Sequence, residues 1–261
     1  MNRTDPIGFF DSGLGGISVL QRARQLLPNE DYIYYGDCLH APYGVRPVEE
    51  VEALCADAAE HLLAQGVKAI VLACNTATSA AAASLRRKYP DIPIIGTEPA
   101  LKPAVERHPG GRILVMATEM TLKEQKFLDL WAQFREQAEI VPVPCSGLME
   151  FVERGELESM AVEEFLQQLL SPHLHKPVDA VILGCTHYPF LRRAICRVTG
   201  GQAELLDSAD GVSRQLRRVL EERKLLQTRT ILGQVHFQYS GNDPNTTFRA
   251  KNLLAYCPEE R

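Results

Sequence analysis

Hydrophobic and polar positions follow one another along the chain in a pattern that predicts strands separated by helices. At 48–65, apolar residues recur at helical spacing, and Gly66 offers a natural C-terminal stop. Helices are also predicted after Gly16, to about Leu27, and at 80–88 and 211–222. Short apolar runs typical of buried strands occupy 7–10, 32–35, 68–73, 92–95, 113–116, 140–143 and 180–183, with a further strand near 234–239. This α/β alternation predicts a mostly parallel sheet flanked by helices.

Two stretches of the chain resemble each other and predict an internal repeat. Residues 67–76 (VKAIVLACNT) and 178–187 (VDAVILGCTH) align without gaps and share Val, Ala, Leu and Cys. Upstream, 7–12 and 113–118 occupy matching places, and each is a strand that ends in a small hydroxyl residue. Buried strands resemble one another by chance because they favour Val, Ile and Leu, but chance does not explain a cysteine shared at the strand end. We therefore expect two similar α/β halves.

The composition is that of an ordinary globular chain of 261 residues, with 45% hydrophobic and 23% charged residues and a net charge of −5. Nucleic-acid binders carry a basic surface, whereas the short basic clusters at 86–88 and 192–193 are typical of solvated helix faces. No apolar run reaches the ~18 residues of a membrane span, and the polar N-terminus does not resemble a secretory leader. The sequence therefore predicts a cytoplasmic protein that binds neither nucleic acid nor membrane.

Cysteine is the residue type that first indicates chemistry. Seven cysteines occur, at 38, 55, 74, 145, 185, 196 and 257, and no two have the C-x-x-C spacing. This supports neither a disulfide framework nor a structural zinc site. Cys55 and Cys196 fall in helical patterns and are predicted to be inert, buried core residues. Cys74 and Cys185 instead follow predicted strands, which makes them candidates for catalysis.

Cys74 and Cys185 are predicted to lie at the carboxyl ends of parallel strands, where open α/β sheets bind ligands. Each is expected immediately before a helix, whose N-terminus lowers a thiol pKa and binds carboxylates through free N–H groups. Pro189 suits the first turn of the second of these helices. Side chains able to hydrogen-bond a ligand follow both cysteines, namely Asn75, Thr76, Thr78, Thr186 and His187.

A pair of like thiols across a cleft suits the inversion of a carbon centre. Inversion requires a base on one face of the carbon and an acid on the other, and each turnover exchanges their protons, so the two groups should be chemically alike. Acid/base groups work best when their pKa lies near the working pH, and cysteine can be tuned there. We therefore predict a metal-free enzyme that inverts the α-carbon of an acidic amino acid, with Cys74 and Cys185 as the acid/base pair.

Asp11 ends the first predicted strand, close to a glycine-rich loop. One interpretation makes it a helper base or hydrogen-bond acceptor for Cys74, and the other makes it the N-cap of the following helix. The loop does not match a dinucleotide fingerprint, because Ser18 occupies the third glycine position of G-x-G-x-x-G. A second loop, with a Pro-Tyr-Gly turn at 42–44, is predicted at the same sheet edge and is a candidate for substrate contact.

The ordered motifs resemble those of bacterial glutamate racemases, in the aspartate/glutamate racemase superfamily. They are DSGLGG at 11–16, GD at 36–37, PYG at 42–44, ACNTA at 73–77 and GCTHYP at 184–189. The resemblance implies two pseudo-symmetric α/β domains, each a mostly parallel sheet flanked by helices, with the active site in the cleft between them. The expected domains are 1–95 plus 207–261 for the first and 96–206 for the second.

The resemblance also implies a mechanism without cofactor or metal. Cys74 would take the α-proton from D-glutamate and Cys185 from L-glutamate, assisted by Asp11 and His187 respectively. The implied substrate contacts are Ser12, Asn75, Thr76, Thr118 and Thr186 to the α-amino and α-carboxylate groups, Pro42, Tyr43 and Gly44 around the side-chain carboxylate, and Glu153 as a further acidic residue near the site. The product would supply peptidoglycan synthesis, and hence cell-wall formation and cell shape, and a homodimer is expected.

Other functions stay open on the sequence. A racemase of aspartate or another amino acid is one, although related aspartate racemases have Cys-Thr-Glu as the second motif, so that His187 favours glutamate. A hydrolase or transferase with Cys185 as nucleophile and His187 as base is another, and it leaves Cys74 unexplained. A two-lobed amino-acid binding protein is the third, and it needs the anion pocket but no thiols.

Overall fold

Two parallel sheets form the centre of the molecule in a computed structural model that describes residues 1–257. The first sheet has the order β4-β3-β1-β2-β9 and the second the order β6-β5-β7-β8. The strands of the first sheet are β1 (Ile7–Asp11), β2 (Tyr32–Gly36), β3 (Ala69–Leu72), β4 (Ile94–Gly96) and β9 (Val235–Tyr239). Those of the second are β5 (Arg112–Ala117), β6 (Glu139–Pro144), β7 (Ala180–Leu183) and β8 (Glu204–Leu206). The predicted α/β class is therefore confirmed.

Helices connect and cover the strands. They are α1 (Ile17–Leu26), α2 (Val48–Leu63), α3 (Asn75–Lys88), α4 (Leu101–Arg107), α5 (Glu119–Lys123), α6 (Gln125–Phe134), α7 (Met149–Arg154), α8 (Met160–Leu170), α9 (Arg192–Val198), α10 (Ala209–Glu222) and α11 (Thr246–Ala255). Because helices lie against the sheets, the central strands β1, β3, β5 and β7 are buried along their whole length. This double covering explains why they read as continuous apolar runs rather than alternating ones. In residues 1–257, no helix is long and apolar enough to cross a membrane.

The two sheets repeat one topology. In the first, the order β4-β3-β1-β2 places the earliest strand between its two successors, and β8-β7-β5-β6 reproduces that order in the second. β3, which precedes Cys74, therefore corresponds to β7, which precedes Cys185. The two pseudo-symmetric halves predicted from the repeated segments are confirmed. β9 has no counterpart in the second sheet and lies at the edge of the first, beside β2.

The chain passes from the first sheet to the second after β4 and returns after β8. The two connecting segments lie side by side, and Thr97 Oγ1 of one donates a hydrogen bond to Ser208 Oγ of the other at 2.7 Å. The domain limits at 95/96 and 206/207 stay a prediction, since membership of a sheet does not define where a folding unit ends.

Two helix starts differ from the sequence prediction. α3 begins at Asn75 rather than near Ala80, because Cys74 is its N-cap and accepts a hydrogen bond from Ala77 N–H at 3.4 Å. The prediction of an α-helix immediately after Cys185 is wrong. A 3₁₀-helix of one turn, Tyr188–Leu191, comes first, and α9 starts only at Arg192. Pro189 lies in that turn and has no N–H to donate to the Cys185 carbonyl, so the shorter i to i+3 bonds replace α-helical ones.

Candidate active site

The carboxyl ends of four strands bring most of the predicted site residues to one small cavity between the sheets. Its volume is about 20 Å³, room for roughly one water molecule. The lining residues come from both halves and are Ser12, Tyr43, Gly44, Cys74, Asn75, Thr76, Thr118, Thr121, Met149, Gly184, Cys185, Thr186 and His187. A cavity of about 890 Å³ behind the two connecting segments, near Arg86 and Asp207, contains neither Cys74 nor Cys185.

Cys74 enters the cavity from the first half as a buried thiol. Its sulfur accepts hydrogen bonds from Ala77 N–H at 3.4 Å and from Ser12 Oγ at 3.6 Å. Burial, followed by the negative charge of Asp11, raises the pKa of Cys74 to about 12, although the two hydrogen bonds act in the opposite direction. The predicted lowering of this pKa by the helix N-terminus is therefore wrong, because desolvation outweighs one N–H contact.

Cys185 enters from the second half and belongs to a chain of polar contacts. Its sulfur lies 3.5 Å from His187 Nδ1, and His187 Nε2 lies 2.7 Å from Glu153 Oε1. Glu153 Oε1 also accepts a hydrogen bond from Leu14 N–H of the first half at 2.7 Å. The three side chains are thus a thiol, an imidazole and an orienting carboxylate in line.

The charges of this chain favour an ion pair. Burial alone lowers the pKa of His187, but hydrogen bonds to Cys185 and Glu153 raise it well above its ordinary value. Burial likewise raises the pKa of Glu153, and the contact with His187 outweighs it, so the net pKa is lowered. Both shifts favour a protonated His187 beside an ionised Glu153. In the protonated form, His187 Nδ1–H is a donor toward the Cys185 sulfur.

Asp11 lies beneath the cavity, completely buried. It accepts hydrogen bonds from Gly13 N–H and, across the cleft, from Thr186 Oγ1, both at 3.1 Å. The N-cap interpretation of Asp11 is wrong, because the N-cap of α1 is Gly16. Among the described residues, the hydroxyl that bonds the Cys74 sulfur is that of Ser12, and Asp11 acts on this thiol through its charge.

The glycine-rich loop allows the two halves to approach closely. A Cβ at Gly13 would overlap the Glu153 carboxylate, and one at Gly15 would overlap His187 and Thr186. Only glycine avoids these overlaps, because it has no Cβ. Ser18, where a dinucleotide-binding loop would have its third glycine, donates to the Thr186 carbonyl at 2.8 Å. This loop packs against the second half instead of cradling a phosphate.

Three threonine hydroxyls meet across the cleft at the cavity wall. Thr76 Oγ1 of the first half lies 3.4 Å from both Thr118 Oγ1 and Thr121 Oγ1 of the second, and Thr118 donates to Thr121 at 3.0 Å. Beside them, Asn75 Oδ1 is buried and has no hydrogen-bond partner among the described residues. A buried acceptor without a donor is costly, so this atom marks a place where a ligand N–H group would be stabilised.

The 3₁₀-helix at Tyr43–Val45 closes another side of the cavity. A Cβ on Gly44 would lie only 2.9 Å from Thr118 Cβ, so this turn touches the second half directly. Tyr43 and Gly44 line the cavity, whereas Pro42 does not. The predicted substrate contact of Pro42 stays a prediction.

Several lining residues were missed from the sequence. Thr121 lies one turn after Thr118 in α5, a spacing that places both on one face and was the available signal. Position 184 requires glycine, because a Cβ there would lie too close to the Met116 carbonyl oxygen, at 2.8 Å. Met149 gave no signal, because only tertiary packing brings α7 to the cavity. All seven cysteines are free; Cys55 is buried as predicted, but Cys196 is half-buried.

The fold and the cavity bring one thiol from each half of a repeated α/β structure to a common site. The sequence profile of the Asp/Glu/hydantoin racemase family matches residues 17–215. A glutamate racemase of Clostridium perfringens is 51% identical over 249 residues, which cover 95% of this chain and 96% of the relative. The chain therefore belongs to the Asp/Glu/hydantoin racemase family and is an isomerase, as its motifs predicted.

Solved structures agree with this assignment over nearly the whole chain. A glutamate racemase isoform from Bacillus anthracis superimposes with a TM-score of 0.87 at 30% identity and covers 98% of this chain and 96% of its own. The glutamate racemase of Francisella tularensis, solved in complex with D-glutamate, gives a TM-score of 0.83 at 29% identity and covers 97% and 95%.

Proposed function

We propose that the protein interconverts L- and D-glutamate by two-base proton transfer at the α-carbon. The observation that carries this proposal is the meeting of Cys74 and Cys185, from opposite halves, in one cavity lined by hydrogen-bonding groups. The glutamate racemase from C. perfringens supports glutamate as the substrate, and so does the bound D-glutamate of the F. tularensis enzyme.

The cavity walls offer complementary groups for each polar part of glutamate. The unpartnered Asn75 Oδ1 is an acceptor for the α-ammonium group. Hydroxyls and backbone N–H groups are donors for the carboxylates, and the second carboxylate would lie at the Tyr43–Gly44 turn. The hydroxyls that we assign to the α-amino and α-carboxylate groups are those of Ser12, Thr76, Thr118 and Thr186.

In the D to L direction, the Cys74 thiolate takes the α-proton and becomes a thiol. The carbanion then takes a proton from the Cys185 thiol on its other face, which leaves a Cys185 thiolate and L-glutamate. The reverse direction exchanges the two roles. Since each turnover leaves the protons on the opposite sulfurs, the free enzyme returns to its starting form by proton exchange with water.

Different neighbours support the two thiols. The His187 cation, held by Glu153, stabilises negative charge on the Cys185 sulfur when that thiol loses its proton. Within residues 1–257, the donors to Cys74 are Ser12 O–H and Ala77 N–H, and burial makes its thiolate scarce but strongly basic. The substrate ammonium adds a positive charge, which favours the thiolate. Asp11 would assist as an acceptor for the ammonium or for the Cys74 proton.

Substrate binding requires the cleft to open. The cavity of about 20 Å³ is much smaller than glutamate, and the Thr76 contacts with Thr118 and Thr121 join its two walls. We therefore place entry between these hydroxyls, with the two halves parting for binding and closing for reaction. Closure excludes water from the carbanion, which strengthens every charge interaction inside.

The proposed cellular role is the supply of D-glutamate for peptidoglycan, and hence for cell-wall formation. Seven free thiols are suited to the reducing cytoplasm, where we place the enzyme. The proposed proton transfers use only groups of the chain itself. Assembly as a homodimer stays a prediction.

Serine replacements test the two thiols. Cys74→Ser and Cys185→Ser should each lower kcat/KM for both enantiomers by on the order of 10²–10⁴-fold, because a hydroxyl is a far weaker acid and base at neutral pH. Circular dichroism of each enantiomer measures the rates, and Cys196→Ser in α9 is the matched control with unchanged rates. Full activity of the Cys74→Ser protein would sink the proposal.

One observation favours a second candidate function. The chain Cys185–His187–Glu153 has the order of nucleophile, base and orienting carboxylate found in thiol hydrolases. A hydrolase would need Cys185 but not Cys74. Hydrolysis of glutamate amides or esters that survives Cys74→Ser and is lost in Cys185→Ser would establish that alternative. Racemisation of aspartate but not glutamate would move the proposal to the neighbouring substrate.

A further inference from the structure

A buried carboxylate outside the cavity holds together three separate parts of the first half. Asp37, which follows β2 and is only 4% exposed, accepts hydrogen bonds from Tyr43 O–H at 2.6 Å and from Ser240 Oγ at 2.5 Å. It also contacts His40 Nδ1 at 2.8 Å. We infer that these four residues form a clamp, here named the Asp37 clamp, that positions the turn at Tyr43–Gly44 for recognition of the substrate side chain.

The segment that carries this turn has little other support on its outer side. Leu39 and Val45, within 37–45, are 64% and 76% exposed, so hydrophobic burial does not fix them. On the inner side, the Tyr43 ring is buried and packs against Phe10 at 6.2 Å between ring centroids. The hydroxyl of the same ring bonds Asp37, so one side chain joins the cavity wall to the clamp.

Ser240 brings the C-terminal strand into the clamp. Its hydroxyl donates to Asp37 Oδ1 and accepts from Leu39 N–H at 2.9 Å, while its backbone N–H donates to the Gly36 carbonyl at 3.0 Å. Ser240 directly follows β9, which pairs with β2 and lies beyond residue 215, where the match to the family profile ends. The end of β9 thus fixes both the start of the 37–45 segment and the carboxylate that holds Tyr43.

A defined kinetic role follows from this geometry and rests on the proposed function. Asp37 is absent from the cavity lining, so it is a positioning residue that acts through Tyr43. The distance from the Tyr43–Gly44 turn to the thiols sets the length of side chain that the site accepts. Loosening the clamp therefore weakens binding of glutamate and its discrimination from aspartate, while the two thiols keep their positions.

Kinetics of three clamp variants test the role. Each replacement weakens or removes a hydrogen bond to the buried Asp37 carboxylate, so Asp37→Asn, Tyr43→Phe and Ser240→Ala should raise KM for glutamate roughly tenfold or more. Their kcat should stay within about threefold, and the ratio of kcat/KM for glutamate to that for aspartate should fall. Ser240→Thr keeps the hydroxyl and should behave as wild type.

Asp179→Asn is the matched control, because Asp179 accepts a hydrogen bond from the backbone N–H of Arg112 at the amino-terminal ends of the central strands β5 and β7, away from the cavity. A loss of kcat with unchanged KM in the clamp variants, or the same KM change in Asp179→Asn, would overturn the inference. If wild type is active and the clamp variants match it, the inference alone fails. If wild type does not racemise glutamate, the proposed function fails.

Amide hydrogen exchange tests the clamp independently of any substrate. In Ser240→Ala, amides within 37–45 should exchange faster than in wild type, while those of α8 and α9 in the second half stay unchanged. Unchanged exchange in the 37–45 segment would show that Ser240 does not hold it, and would overturn the inference whatever the enzyme's substrate.

Discussion

Asp11 is a carboxylate in a place where the fold opposes its charge. The side chain is completely buried, and burial raises its pKa, although the charge of His187 and the Gly13 N–H bond act in the opposite direction. An ionised group in this position costs folding free energy. Active sites commonly contain such residues, because function requires a group that stability alone would not select.

Replacing Asp11 with asparagine should therefore change stability in a pH-dependent way. Because the folded-state pKa is raised, the folded wild type binds more protons than the unfolded chain above pH 3.8, and its stability falls as pH rises through the folded pKa. The Tm of Asp11→Asn minus that of wild type should therefore increase with pH over this window. The variant should also racemise glutamate more slowly than wild type does. Scanning calorimetry across pH 4–8 measures the difference.

The matched control is Asp57→Asn, at an exposed position of α2. Its Tm difference from wild type should be small and nearly independent of pH. A Tm difference for Asp11→Asn that stays flat, or that decreases with pH, would show that the buried Asp11 does not have a raised pKa.

At the residue scale, the sequence indicated which side chains reach the cavity better than it indicated how buried they are. Cys74 and Cys185 were predictable because each ends a strand of a repeated segment. The pKa of Cys74 was not, because a sequence shows the helix that follows a thiol but not how completely the thiol is buried. Met149 was missed for a related reason, since helix α7 reaches the cavity only through tertiary packing.

Among the elements, the turn at Tyr43–Val45 closes one side of the cavity against the second half. A Cβ at Gly44 would meet three atoms of Thr118 at 2.9–3.2 Å, so Gly44→Ala should hinder closure. Overpacking of this kind costs about 1–3 kcal/mol, and we expect kcat/KM to fall roughly 5- to 150-fold while the Tm stays close to that of wild type. Steady-state kinetics and thermal unfolding separate the two effects.

Gly211→Ala is the matched glycine replacement for this element. Gly211 lies in the first turn of α10, where a Cβ would meet no atom of residues 1–257 within 4 Å. Alanine should raise the free energy of unfolding by about 0.5–1 kcal/mol because it lowers the entropy of the unfolded chain, with unchanged kinetics. Equal losses of activity in both variants would show that the Gly44–Thr118 contact has no special role.

The elements whose ranges the apolar pattern predicted lie close to their predicted limits, except at two helix starts. These two differences have local causes. The start of α3 was hidden because Asn75, Thr76 and Thr78 read as loop residues, yet the Cys74 sulfur caps the helix. The 3₁₀-helix at 188–191 replaced the expected α-helix because of Pro189. Both differences lie next to the thiols, where the position of each cysteine in the cavity, and not the local sequence preference alone, determines how the following helix begins.

For the molecule as a whole, a buried ion pair joins parts of the first half far from the cleft. Lys68 Nζ lies 2.5 Å from Glu30 Oε2 and 2.6 Å from the Arg3 carbonyl oxygen, and both side chains are almost fully buried. Glu30 Oε1 also accepts a hydrogen bond from Gln227 N–H at 2.8 Å. The pair therefore connects the N-terminus, β3 and the segment that leads to β9.

Lys68→Met should leave the Glu30 charge buried without its partner and lower the free energy of unfolding by about 3–5 kcal/mol. Lys68 precedes β3 at the end opposite Cys74, so the KM of the folded fraction should not change. Urea unfolding measures the loss, which Glu30→Gln in the same chain should partly restore. Lys88→Met, at the exposed pair with Glu60, is the control with little effect. Similar losses in both variants would contradict the account.

The repeat was the most informative large-scale feature of the sequence. Two segments with a shared terminal cysteine predicted two halves, and the sheet orders show the same strand arrangement in each. The strand predicted near 234–239 is β9, but the sequence did not reveal that it pairs with β2. It did not reveal the Asp37 clamp either, because Asp37 and Ser240 are far apart along the chain and meet only through that pairing.

The central claim is that one thiol acts on each face of the α-carbon, and incubation of the enzyme with L-glutamate in deuterated water tests it most directly. At low conversion, NMR of the separated enantiomers should find deuterium at the α-carbon of the D-glutamate formed, because Cys74 delivers a deuteron that came from the solvent. The remaining L-glutamate should retain its α-proton, because a carbanion that reverts to L-glutamate takes back the same proton from Cys185. Deuterium entering the L-glutamate as fast as the D-glutamate would indicate a single exchanging base and contradict the two-thiol account.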